Sequence, residues 1–142
     1  MNIGMAESPV RVVLDTNTLI SALVYGGNPQ KVLVLALNKR IRIITSPILQ
    51  AELVDIIAKK FPLSLDDMHL LKEEMQKSFV IVHPHIALDI VRDNDDNRVL
   101  EVAVEGDCNF IITGDRDLLE LCKYKKIKIV TPAQFLTELE NS

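Results

Sequence analysis

Four short apolar runs punctuate the chain: RVVLD (11–15), IRIIT (41–45), FIIT (110–113) and IKIVT (127–131), each rich in Ile and Val. Short runs that are apolar at consecutive positions predict strands buried on both faces. FVIV (79–82) predicts a fifth, ended by the HPH that follows it. Between the runs Leu, Ile and Val recur at spacings of three and four, which predicts helices. The order strand, helix, strand, repeated along the chain, predicts an α/β fold of three layers (α/β/α) with a central parallel sheet of about four to five strands. Helix starts are marked by Ser46 before Pro47 and Thr131 before Pro132, each an N-cap followed by proline, and by Ser64. The segment 61–77 reads as a helical excursion within the same domain.

Composition narrows the class. With 142 residues, 48% of them hydrophobic, the chain can bury a core without disulfides or structural zinc. No Pro/Gly-rich linker divides it, so residues 10–142 are expected to form one domain behind a disordered leader, 1–9. Cys108 and Cys122 show no metal-binding spacing. No apolar run reaches the length of a membrane span and no segment resembles a secretion signal, which points to the cytoplasm. The formal charge of −4 excludes a protein that grips nucleic acid through its overall field, and 4% aromatics with no Trp exclude a base-stacking platform.

Within that frame the acidic residues stand out. In an open parallel sheet ligands sit beyond the carboxyl ends of the strands. Those ends carry Asp15, Thr45, Ser46, Thr113, Asp115 and Thr131. Helix capping alone accounts for Asp15 in LDTNT, with Asn17 two positions on, and for Asp115 in TGDRD, where Gly114 gives the turn its freedom and Asp117 lies a step into the next helix. Glu52 is harder to explain. It lies four residues from both Ile48 and Ile56, beside the stripe Leu49, Leu53, Ile56, and needs a cation, hydrogen-bond donors or a surface pairing with Lys59. Asp93, Asp95 and Asp96 open another helix, whose dipole explains one or two of them. Taken together, capping must explain independently why Asp15, Glu52, Asp96 and Asp115 gather at one sheet edge. Carboxylates packed together repel unless a divalent cation joins them, and oxygen-only ligands suit Mg²⁺ or Mn²⁺ better than Zn²⁺. His69, His83 and His85 fall outside every acidic motif.

The ordered set VVLDTNTLISAL, SPILQAELVDII, RDNDDNRVLEVAVEGDCNFIITGDRDLL and IKIVTPAQFL, from about Arg11 to Leu136, resembles the PIN domain, a metal-dependent ribonuclease fold found in toxins of toxin-antitoxin operons and in other RNA-processing nucleases. Carried over position by position, the resemblance implies that Asp15, Glu52, Asp96 and Asp115 are the catalytic metal ligands. Asn17, Thr113 and Asp117 would support them by orienting carboxylates or substrate. Asp96 is preferred to Asp93 or Asp95 for its distance from Ala103. The implied reaction is hydrolysis of single-stranded RNA with one or two Mg²⁺ or Mn²⁺ ions, leaving 5′-phosphate and 3′-hydroxyl ends. Arg92, Arg98, Arg116 and the KYKKIK run (123–128) are candidate phosphate contacts, although for the lysine run a plain solvated surface is the favoured explanation. The resemblance also implies an antitoxin protein as partner and a homodimer.

Two rivals remain at this level. LDTNT and GDRD faintly resemble phosphatases of the haloacid dehalogenase type, but those pair the first aspartate with a second two residues on, and Asn17 stands there. A PIN-like fold can also serve as a non-catalytic interaction module whose acidic edge binds a basic peptide.

Overall fold

The computed structural model describes residues 8–141. Seven of the nine leader residues fall outside that range, and Ser8 and Pro9 precede the first strand. The chain order is β1 (Val10–Leu14), α1 (Thr16–Val24), α2 (Gly27–Leu37), β2 (Ile41–Thr45), α3 (Pro47–Lys60), α4 (Leu65–Ser78), β3 (Val80–Ile81), α5 (Asn94–Glu105), β4 (Phe110–Ile112), α6 (Arg116–Leu121), β5 (Lys123–Tyr124), β6 (Ile127–Val130) and α7 (Pro132–Glu140). The strands form one sheet in the order β3-β2-β1-β4-β6-β5. All neighbours run parallel except β5, which returns antiparallel on β6. Thus all five expected strands form. The sixth, β5, adds a short edge inside the lysine run, where no apolar pattern announces it.

Alternate strand residues serve opposite layers. Val12, Leu14, Ile43, Ile112 and Val130 pack with α1, α2, α3, α4 and α7, whereas Val13, Ile44, Ile111 and Ile129 pack with α5 and α6. Burial of both faces is why these strands read as runs rich in Ile and Val, interrupted by Arg11, Arg42 and Lys128. Gly106, just after α5, lets that helix end close to the sheet: a Cβ there would stand 2.6 Å from Ile44 Cγ2. The expected caps form, with Ser46 accepting from Leu49 N–H and reciprocal capping boxes at Ser64 with Asp67 and at Thr131 with Gln134. No described helix is long and apolar enough to cross a membrane.

The topology fixes where a site can lie. From β1 the chain builds β2 and β3 to one side and then crosses to β4 and β6 on the other. Strand order therefore reverses between β1 and β4, and their carboxyl ends open the crevice that such sheets use for ligands.

Candidate active site

Asp15 follows β1 at this crevice. Its backbone N–H reaches Ile112 O at 3.4 Å, its Oδ1 accepts the Thr18 N–H at 2.9 Å, and its Oδ2 accepts the Thr113 hydroxyl. Capping and a site role therefore coexist in one buried carboxylate, whose charge also suits the start of α1. Thr113, wholly buried, links two acids. While its hydroxyl donates to Asp15, its Oγ1 accepts the Asp115 N–H at 2.9 Å. Asp115 occupies the N-cap of α6 but makes no side-chain capping bond, so its carboxylate is left for other work.

Asp96 is 7% exposed and its Oδ2 has no hydrogen-bond partner. Burial first, and then the adjoining Asp115 carboxyl with Asp93 and Asp15 beyond it, push the Asp96 acid up to about 8. Glu52, half-buried on α3, is also raised, by burial foremost and by Asp95, Asp15 and Asp93, against the opposing effect of the Thr16 hydroxyl. Its suggested partner Lys59 is engaged instead by Asp55 at 3.0 Å. Asp15 thus acts on both Glu52 and Asp96, and Asp115 adjoins Asp96. The neighbouring aspartates differ in place: Asp93 caps α5 by accepting the Asp95 N–H, and Asp95 is exposed. Asp117 is paired with Arg92 at 3.4 Å.

Asn17, Asp15, Gly114, Asp115, Arg116 and Thr131 line an open cleft of about 610 Å³ that also takes in Asn28 at the start of α2; of the four predicted acids, Asp15 and Asp115 line it and Glu52 and Asp96 do not. Of the three arginines singled out from the sequence, only Arg116 lines this cleft. Arg98 is occupied by Glu101 at 2.7 Å and by Leu88 O, and Lys128 by Glu138. Gly114 has no positive φ, and a Cβ there would meet nothing within 4 Å, so the turn does not depend on glycine's freedom. The bond from Asp115 N–H to the Thr113 hydroxyl oxygen spans this turn and holds it.

Among the described residues no three His, Cys, Asp or Glu side chains stand ready as a finished metal cage. The donor set nonetheless fits a hard cation: all oxygen, crowded, and with one buried oxygen, Asp96 Oδ2, lacking a hydrogen-bond partner. Sequence reasoning did not find Thr16, which faces Glu52, nor Asn97 and Glu101, which lie buried on α5. The spacing of four from Asn97 through Glu101 to Glu105 was a signal for a polar stripe along α5.

Residues 11–117 match the PIN domain family, and the chain belongs to it. It is 36% identical over 149 residues to the uncharacterized protein MJ1680 of Methanocaldococcus jannaschii, with 96% of each chain covered. Two crystal structures share the fold. PAE2754 from Pyrobaculum aerophilum superposes with a TM-score of 0.55 at 17% identity, covering 94% of this chain and 99% of that one. FitAcB from Neisseria gonorrhoeae gives a TM-score of 0.54 at 16% identity, covering 86% and 98%.

Proposed function

We propose that the protein is a metal-dependent endoribonuclease that hydrolyses phosphodiesters of single-stranded RNA, with Asp15, Glu52, Asp96 and Asp115 holding Mg²⁺ or Mn²⁺. The observation that carries the reading is the crowding of carboxyl groups around buried Asp96, which adjoins Asp115, feels Asp15 and keeps its Oδ2 without a hydrogen-bond partner. Membership of the PIN domain family supports nuclease chemistry, and the cleft beside Asp15 and Asp115 is open to solvent, which leaves room for a strand to enter.

When bound, the ion supplies a more acidic attacking water and positive charge for the scissile phosphate. The chain's residues supply position. Thr113 holds the Asp15 carboxylate and the Asp115 backbone together, so that the tips of β1 and β4 act as one unit. Thr16 steadies Glu52, while Asn17 and Arg116 face the cleft, where they can meet sugar and phosphate groups without reading sequence. The haloacid dehalogenase reading is weaker, because Asn17 stands where that class needs its second aspartate and residues 11–117 match the PIN domain family instead. Service as a toxin in the cytoplasm, with an antitoxin and a second copy of the chain as partners, belongs to the same proposal and rests on the sequence resemblance.

The test is cleavage of an unstructured RNA by the purified protein with Mn²⁺ or Mg²⁺. Cleavage abolished by EDTA, and by Glu52→Gln in a variant that still melts cooperatively, is the expected result. Equal cleavage in EDTA would remove the metal, and wild-type cleavage by Glu52→Gln would remove Glu52 from the ligands.

A further inference from the structure

Between β3 and α5 the chain runs irregularly, and its polar backbone lies against an apolar flank, with Leu88 and Val91 packed into the α5 side of the core. A segment so placed must find partners for its N–H groups. It finds them on α5. His85 N–H reaches Glu105 Oε1 at 3.1 Å and Leu88 N–H reaches Glu101 Oε2 at 2.7 Å. Asn97 takes the last rung: its Oδ1 accepts from Ile90 N–H at 2.9 Å and Val91 N–H at 3.0 Å, and its Nδ2 donates to Val91 O at 2.9 Å.

This rung differs from the other two. Asn97 is wholly buried, and its bonds close a small loop of chain from Val91 to Asn97 that contains Asp93, Asp95 and Asp96. The Asn97 backbone N–H also reaches Asp93 O at 3.1 Å, and Arg92 within the loop pairs with Asp117 on α6, two residues beyond Asp115. An apolar residue of similar size would fill the space but leave two N–H groups and a carbonyl unpaired.

We propose that Asn97 is a positioning residue: by clamping the 91–97 loop it fixes where Asp96 stands against Asp115 and so sets the affinity of the acidic site for a divalent cation. The inference rests on the metal reading above and goes beyond it by naming a residue that touches neither ion nor RNA. Glu101 provides the matched control, since it is also buried and also holds the strap but lies a turn farther from the acids.

The experiment is thermal melting of the metal-free full chain titrated with Mn²⁺. Wild type should gain stability as Mn²⁺ is added. Asn97→Ser should melt lower in EDTA and require roughly tenfold more Mn²⁺ for half of its stabilisation, the loss typical when a group supporting a ligand is removed. Glu101→Gln should also melt lower in EDTA yet titrate at the wild-type Mn²⁺ concentration. Asn97→Asp keeps the two accepted bonds and serves if the serine variant does not fold. It should bind Mn²⁺ more weakly than wild type, although its added negative charge alone would tighten cation binding. Wild-type affinity in Asn97→Ser, tighter binding in Asn97→Asp, or equal weakening by Glu101→Gln would overturn the proposal. A wild type that Mn²⁺ does not stabilise would overturn the metal reading first, and this inference with it.

Discussion

Asp15 shows why single residues resist assignment from sequence. One of its oxygens caps α1 and the other takes the Thr113 hydroxyl, so the capping interpretation and the site interpretation describe two halves of one carboxylate. Thr113→Val tests that link. The substitution conserves shape but leaves Asp15 Oδ2 and Asp115 N–H without their partner, and should cost about 1–3 kcal/mol by denaturant unfolding, with Thr113→Ser recovering most of it. Little loss in the valine variant would show that the bond is not needed. Asp96 makes a prediction about pH. Its acid is raised from 3.8 to about 8, chiefly by burial and then by Asp115. Between those values the native state keeps a proton that the unfolded chain has released. Stability of the metal-free protein must therefore fall as pH rises through that interval, and flatten above it. Glu52, raised in the same direction, adds to the fall. Wild type in EDTA should melt lower at about pH 9 than at about pH 5, and Asp96→Asn should lessen the drop and melt above wild type at the higher pH. Added Mg²⁺ should close or reverse that gap, since the ion offers wild type about 2.7 kcal/mol at a hundredfold excess over Kd while the variant has lost a ligand. Parallel curves at every Mg²⁺ concentration would transfer the assignment to Asp93 or Asp95.

Elements were legible where burial wrote them. The strands β1, β2, β4 and β6 pack between helix layers and so carry runs rich in Ile and Val, interrupted by Arg11, Arg42 and Lys128, and β3, although only partly buried, still follows one in FVIV. By contrast β5 is two residues, Lys123 and Tyr124, held by its pairing to β6 rather than by its own burial. The strap before α5 was invisible for a related reason: side chains of another element, Asn97, Glu101 and Glu105, hold it, and no periodicity within 82–93 records them. Site acids were legible as a set, because Asp15, Asp96 and Asp115 each end a strand or open a helix and Glu52 stands beside an apolar stripe within α3, but their contacts were not. Glycines also needed the structure. Gly114 looked like the turn's requirement, whereas it has ordinary φ and open space, and Gly106 is the one hemmed in by Ile44 and the Val102 carbonyl. Gly106→Ala should therefore destabilise the fold by about 1–3 kcal/mol through overpacking. Gly114→Ala should be neutral or stabilise by about 0.4–1 kcal/mol, because it narrows only the unfolded ensemble. Chemical denaturation of the pair checks both, and a reversed order would contradict the packing described around the end of α5.

At the scale of the whole molecule the proposed function raises the question of how an acidic protein would engage a polyanion. With a net charge of −4 the long-range field opposes RNA, so attraction must come from few local contacts. Arg116 lines the cleft, while Arg98 is locked to Glu101 and Arg92 is shared with Asp117. Few phosphate contacts mean few released counterions. For one or two contacts on a single strand, apparent affinity should fall by no more than about sevenfold between roughly 50 and 200 mM salt, against the 10³–10⁵ loss of a protein with many duplex contacts. The measurement is binding of a fluorescent single-stranded RNA to Glu52→Gln, which is expected to bind without cutting, across a salt series at fixed Mg²⁺. Arg116→Ala should weaken binding and lower the slope by about 0.7, the share of one phosphate on a single strand. A steep slope in the parent would mean that the strand leaves this cleft for the Lys123–Lys126 surface, and an unchanged slope in Arg116→Ala would place the phosphate contact elsewhere along the cleft.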